Sequence, residues 1–273
     1  DGERAFATVE CYDTDVGAWH RLQSMPTARG GLAVAAVDGS LYAVGGSNGT
    51  RALGTVEIFD TCLAQRARSS EAATSVGMVK NLWHTGPSLL TSRRGLAVAV
   101  MDRCLYAIGG SYEEPLDSVE CLDTERHQWS PMPPMPTPRR AAAAAVHRGR
   151  IYVVGGASGI HGHGSSLSVT ERFDPARWTW ETLIPMPSAR RGLSLSPVGG
   201  RLYALGGSDG ARTYSAVEVF NPSTNMWEVG PPMPTRRGYF GAAVTQTVEV
   251  LGLTCGRGGD LRKALAGVCP LPR

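Results

Sequence analysis

The chain has 273 residues, a formal net charge of +3, and 34 glycines with 18 prolines. A balance that mild, with no basic run interleaved with aromatics, argues against nucleic acid as a partner. No apolar stretch reaches the 18 or so residues that would argue a membrane span, and glycine and proline at this level suit many hairpins rather than helices.

The sequence opens on Asp1-Gly2, in the phase that Asp209-Gly210 holds before Glu218. Residue 1 is therefore expected in the turn between the second and third strands of a repeat whose first half lies upstream. A strand around Glu10 and one around Trp19 follow, then the connection MPTA to Arg29. GLAVAAV reads as a strand of small residues, Asp38-Gly39 as its hairpin turn, LYAVGG as a second strand and VEIFD as a third. A solvated insertion over 63–79 (LAQRARSSEAATSVGMV) separates that strand from Trp83. The same cycle returns as GLAVAVM, LYAIGG, VECLD and Trp129, as AAAAAV, IYVVGG, TERFD and Trp180, and as GLSLSPV, LYALGG, VEVFN and Trp227. After Trp227 the register breaks, and 251–273 reads as a divergent tail that matches no repeat.

The internal metric is strict. From Trp19, Trp83, Trp129 and Trp180, 26 residues lead to the first glycine of Gly45-Gly46, Gly109-Gly110, Gly155-Gly156 and Gly206-Gly207. Nine residues before four of the tryptophans stand Glu10, Glu120, Glu171 and Glu218, and Glu57 fits once the insertion is removed. A period near 47 admits two kinds of propeller. One requires aspartate after the tryptophan, where this chain has His20, His84, Ser130, Glu181 and Glu228. The repeated Gly-Gly, tyrosine, glutamate and tryptophan pattern resembles the kelch-repeat family, over residues 1 to 250. The implied fold is all-β: a kelch β-propeller of four-stranded antiparallel blades, four of them full, with half-blades at both ends. A truncated six-bladed parent is one reading of that count. The small-residue strand belongs nearest the axis, the double glycine where a side chain would strike the next blade, and the tryptophan in the wedge between blades.

Several chemical motifs dissolve into this pattern. GGSNG and GGSDG match a nucleophile elbow in form, but they recur in phase and lead into hairpins rather than helices. Cys11, Cys62, Cys104, Cys121, Cys255 and Cys269 show neither metal spacing nor a disulfide framework, which makes a reducing cytoplasm the expected compartment. No metal or cofactor is expected. Copper oxidases on this fold need tyrosines and histidines converging on the axis, and only Tyr112, Tyr214 and Tyr239 stand outside the repeat phase.

What remains for function is arginine. Ten residues after each tryptophan stands Arg29, Arg93, Arg139, Arg190 or Arg237, and Arg94, Arg140 and Arg191 follow three of them. The connections that carry them and the turns after the double glycine should open on one end of the propeller. Arg29, Arg93, Arg139, Arg190, Arg237, Arg94, Arg140 and Arg191, with Tyr112, His161, His163 and Ser208, would form a cationic ring suited to carboxylates. A competing reading pairs the first arginine of each blade with the repeated glutamate as architecture. The family resemblance implies protein recognition of an acidic partner segment, in the manner of substrate receptors of cullin ubiquitin ligases. Binding of actin or another cytoskeletal partner is the alternative, and the enzyme reading is remote.

Overall fold

The computed structural model describes residues 4–14, 16–64, 81–159 and 164–244. The insertion from 65, both histidines His161 and His163, and the 251–273 tail lie outside the described residues.

Four four-stranded antiparallel sheets follow one another, preceded by a two-stranded sheet. The pair is β1 (Glu10–Asp13) and β2 (Ala18–Arg21). Blade I contains β3 (Ala33–Val37), β4 (Ser40–Val44), β5 (Val56–Asp60) and β6 (Trp83–Gly86). Blade II contains β7 (Ala97–Met101), β8 (Cys104–Ile108), β9 (Val119–Asp123) and β10 (Gln128–Met132). Blade III contains β11 (Ala143–His147), β12 (Arg150–Val154), β13 (Thr170–Asp174) and β14 (Thr179–Leu183). Blade IV contains β15 (Ser194–Val198), β16 (Arg201–Leu205), β17 (Val217–Asn221) and β18 (Met226–Gly230). Within each blade the strands lie in sequence order, and the innermost strands β3, β7, β11 and β15 neighbour one another around the axis. The all-β propeller reading therefore holds. The half-blade expected at the C-terminal end is not seen among the described residues: 231–244 form no strand, and the residues from 245 lie outside those described.

Turn chemistry explains why each segment stops where it does. In blade I the register Val37↔Ser40 leaves Asp38 and Gly39 as a two-residue loop, both at positive φ, the requirement of a type I′ hairpin. Blade II meets it with Asp102 and Arg103, a pair with no glycine to announce it. The outer hairpins are capped by their last aspartate or asparagine. Asp123 Oδ1 accepts the amides of Glu125 and Arg126 at 3.0 Å, and Asn221 Oδ1 accepts that of Ser223 at 3.0 Å.

Blade-to-blade contact repeats as well. The indole N–H of Trp83, Trp129 and Trp180 donates at 2.9 Å to the carbonyls of Gln23, Pro87 and Pro133 in the preceding unit, and Trp227 reaches Ile184 at 3.1 Å. Trp19, with no described blade before it, is 66% exposed. Closer to the axis, backbone hydrogen bonds of 2.7–2.8 Å run from Gly95 to Gly31, Ala141 to Gly95, Gly192 to Ala141 and Tyr239 to Gly192. All five residues of this chain of bonds have φ between +52° and +60°. Glycine fills three of these left-handed positions without strain; Ala141 and Tyr239 fill them at a cost.

Candidate functional site

Each connection between blades carries a pair of positions with opposite fates. The first arginine turns inward. Arg29, Arg93, Arg139 and Arg190 have side chains 0% exposed, and each meets the glutamate of its own blade: Arg29–Glu57 at 3.0 Å, Arg93–Glu120, Arg139–Glu171 at 2.8 Å and Arg190–Glu218 at 2.6 Å. The same guanidinium donates to the carbonyl of the first glycine of the pair: Arg29 to Gly45, Arg93 to Gly109, Arg139 to Gly155 and Arg190 to Gly206, at 2.8–3.1 Å. A second carbonyl, of Thr55, Ser118, Val169 or Ala216, takes the same nitrogen. The glutamate is tied in turn to the connection, through the amides of Leu90 and Thr91 for Glu120 and the hydroxyls of Thr137 for Glu171 and Ser188 for Glu218. Burial pushes the guanidinium of Arg93 and of Arg139 below the ordinary value, while Glu120 and Glu171 hold it charged.

This corrects the candidate site. Arg29, Arg93, Arg139 and Arg190 do not face a partner, because their side chains are wholly buried and turned to two carbonyls and a carboxylate of their own blade. The competing architectural reading is the one observed for these four. Arg237 shares their phase but is exposed, with its Nε on Thr235 Oγ1 at 3.1 Å.

The second position points to the propeller end. The backbones of Arg94, Arg140 and Arg191 bridge to Ser111, Ala157 and Ser208, the residues just after each double glycine. Connections and post-glycine turns thus share one end, as their spacing implies. The three side chains are half-buried, and none has a carboxylate partner among the described residues. Arg140 Nε donates to the Gly159 carbonyl at 2.9 Å and Arg191 Nη1 to that of Gly164 at 3.4 Å. Arg94 and Arg140 line an axial cavity of about 1040 Å³, whose wall includes Ala97, Ala143 and Tyr239. The corresponding positions on either side are Gly30 and Gly238, so the cations form an arc on three consecutive blades rather than a ring.

Of the other candidates, Tyr112 is 52% exposed in the turn of blade II. Ser208 is half-buried, its hydroxyl accepting the Gly210 amide at 3.0 Å. Ser47 holds Gly49 the same way at 3.2 Å, so both serines of the elbow-like motifs serve their own turns. Tyr214 bonds Asp209 at 2.7 Å and lies under the Arg190 guanidinium. Tyr239 is a residue that the sequence reading left out of the site. It is 65% exposed, at φ +54°, and a Cβ on Gly192 would meet its ring at 2.9 Å, so the ring lies over that glycine. Its only signal in the sequence is its place two residues after Arg237, where three of the other four repeats have glycine. Among the described residues no three His, Cys, Asp or Glu side chains come together, and no helix is long and apolar enough to cross a membrane.

Comparison with known proteins agrees with the fold. The model of the KLHDC2/KLHL20/DRC7 Kelch-repeats domain matches residues 1–156 and 95–259. The chain is 28% identical over 228 residues to Kelch-like protein 35 of Mus musculus, covering 82% of this chain and 35% of that protein. It is 24% identical over 277 residues to Kelch-like protein 21 of Danio rerio, covering 86% of this chain and 41% of that protein. Kelch-like protein 33 of Homo sapiens is 32% identical over 110 residues, 40% of this chain and 21% of that protein. The chain thus spans well under half the length of these relatives. With the repeat metric, the blades and the family model in agreement, the chain belongs to the kelch-repeat family.

Proposed function

We propose that this propeller is a protein-recognition module that captures an acidic segment of a partner protein on the end carrying the interblade connections. The supporting observation is the arc of Arg94, Arg140 and Arg191, half-buried and without a carboxylate partner among the described residues, the first two of them lining the axial cavity. Partly desolvated guanidinia in fixed positions make stronger and more directional contacts to carboxylates than freely solvated ones. Within the longer proteins that share its repeats, such a module would act as the substrate receptor of a cullin-type ubiquitin ligase in the cytoplasm.

The test is fluorescence polarisation with a labelled peptide of alternating Glu and Gly, against the same peptide with Gln for Glu. Binding of the first and not the second supports the reading; equal binding contradicts it. Co-sedimentation with filamentous actin that survives loss of the three arginines would favour the cytoskeletal alternative instead.

A further inference from the structure

Each of blades I to IV ends in an outer strand with no further neighbour among the described strands, so β6, β10, β14 and β18 present unpaired main-chain groups at the rim. Three of these edges are guarded. β6 has only 4 residues and runs into Pro87, β10 carries Pro131, and β14 exposes Thr179, Glu181 and Thr182. β18 is left with one charge, Glu228. At the position of Thr85, Pro131 and Thr182 it has Val229, which is 83% exposed, more than any other large apolar residue described. Val229 stands opposite Glu218 and Trp227 opposite Phe220, so the two side chains share the face turned towards blade III. The Trp227 indole is fixed there by the Ile184 carbonyl, and Ile184 is itself exposed where the other repeats have Gln23, Pro87 and Pro133. The opposite face carries Glu228, whose Oε2 accepts a bond from Arg201 at 2.8 Å, while its Oε1 has no partner among the described residues.

We propose that the outer edge of β18 is a docking site for an extended partner segment, which adds to blade IV as a fifth, antiparallel strand with an apolar–lysine–apolar sequence. The site lies on the rim and is separate from the arginine arc, so neither reading depends on the other. Main-chain hydrogen bonds hold such an added strand, and alternate side chains select it. On the face shared by Trp227 and Val229 the incoming strand places its two apolar residues, making cross-strand aromatic and β-branched pairs. The residue between them lies opposite Glu228 on the other face. There a lysine answers the carboxylate oxygen that Arg201 leaves open. The same carboxylate argues against a second copy of this chain as the occupant. Antiparallel self-pairing along the 5 residues of β18 would set Glu228 against its own counterpart, and like charges directly opposite are destabilising.

The experiment uses the whole chain, amide hydrogen exchange followed by mass spectrometry, and two peptides that differ at one position, Val-Lys-Val and Val-Glu-Val, each flanked by Thr. With the Lys peptide, exchange across 226–230 is expected to slow while 179–183 in β14 stays unchanged. The Glu peptide should bind about fivefold more weakly. Glu228→Gln should erase the difference between the peptides. Val229→Thr, which installs the residue type of blades I and III, should weaken both about threefold; both variants should melt with the parent. Equal affinity of the parent for the two peptides, protection that appears equally on β14, or no binding of the Lys peptide would each overturn the proposal. Protection of 226–230 that rises with protein concentration in the absence of peptide would overturn it in favour of a second copy. None of these outcomes bears on the acidic-segment reading, whose own test is the loss of Arg94, Arg140 and Arg191.

Discussion

The carbonyl oxygen of Arg139 accepts a 2.9 Å hydrogen bond from the amide of Gly110, across the boundary between blades II and III. Gly109, its neighbour, sits so close that a Cβ there would lie 2.5 Å from the same oxygen. The double glycine and the buried arginine are thus one joint. The guanidinium of Arg139 grips the glycine pair of its own blade, while its backbone grips the pair of the blade before.

Gly109→Ala is accordingly expected to cost about 3 kcal/mol, from left-handed strain plus a clash with backbone that cannot retreat. Gly149→Ala is the control. Its φ is +68°, yet nothing stands within 4 Å of the added carbon, so only the strain of about 1 kcal/mol remains. Urea denaturation of the two variants checks the difference.

Most of this joint was legible in the sequence. The spacing of tryptophan, double glycine and glutamate gave the blade, and the equal phase of arginine and glutamate allowed their pairing. Which of two adjacent arginines turns inward was not. Arg93 and Arg94 have the same chemistry, and only the backbone direction at the connection sends one to Glu120 and the other to the mouth. Ala141 and Tyr239 hid for another reason: a left-handed position is announced by glycine, and these two carry side chains there. The Asp102-Arg103 turn escaped notice likewise.

Trp129→Ala is expected to cost about 3–5 kcal/mol, because a large buried ring is lost between blades. Trp129→Phe should cost less, the loss of its bond to the Pro87 carbonyl contributing about 1 kcal/mol. Trp19→Ala, at a ring 66% exposed, should fall within about 1 kcal/mol of the parent. Thermal melting of the three variants ranks them.

The pH dependence has a local source in the turn of blade IV. The Tyr214 hydroxyl, then the amides of Arg212 and Ala211, hold the Asp209 carboxyl down at about 2. A depressed carboxylate contributes stability that is present above its unfolded value near 3.8 and is lost as pH falls through about 2. Tyr214→Phe should raise the Asp209 midpoint and flatten the acid limb of the stability curve between those values. Carbon-detected titration of the Asp209 carboxyl measures it; an unchanged midpoint would remove the hydroxyl as the cause.

Cysteine reactivity should be uneven. Burial, then the neighbouring Cys104, pushes the Cys121 thiol up to about 12, whereas Cys62 is exposed. Since the thiolate is the nucleophile, iodoacetamide near neutral pH should label Cys62 well before Cys121, as peptide mass mapping over time would show.

The proposed division of labour has the first arginine of each pair build the propeller and the second meet the partner. Melting and acidic-peptide binding, measured side by side for Arg139→Ala and for the triple variant Arg94→Ala/Arg140→Ala/Arg191→Ala, test it most directly. Arg139→Ala should lose about 3–5 kcal/mol of stability, since it strands the buried Glu171. The triple variant should melt with the parent and bind the peptide at least a hundredfold more weakly. A triple variant that unfolds, or one that still binds the peptide as the parent does, would contradict the claim.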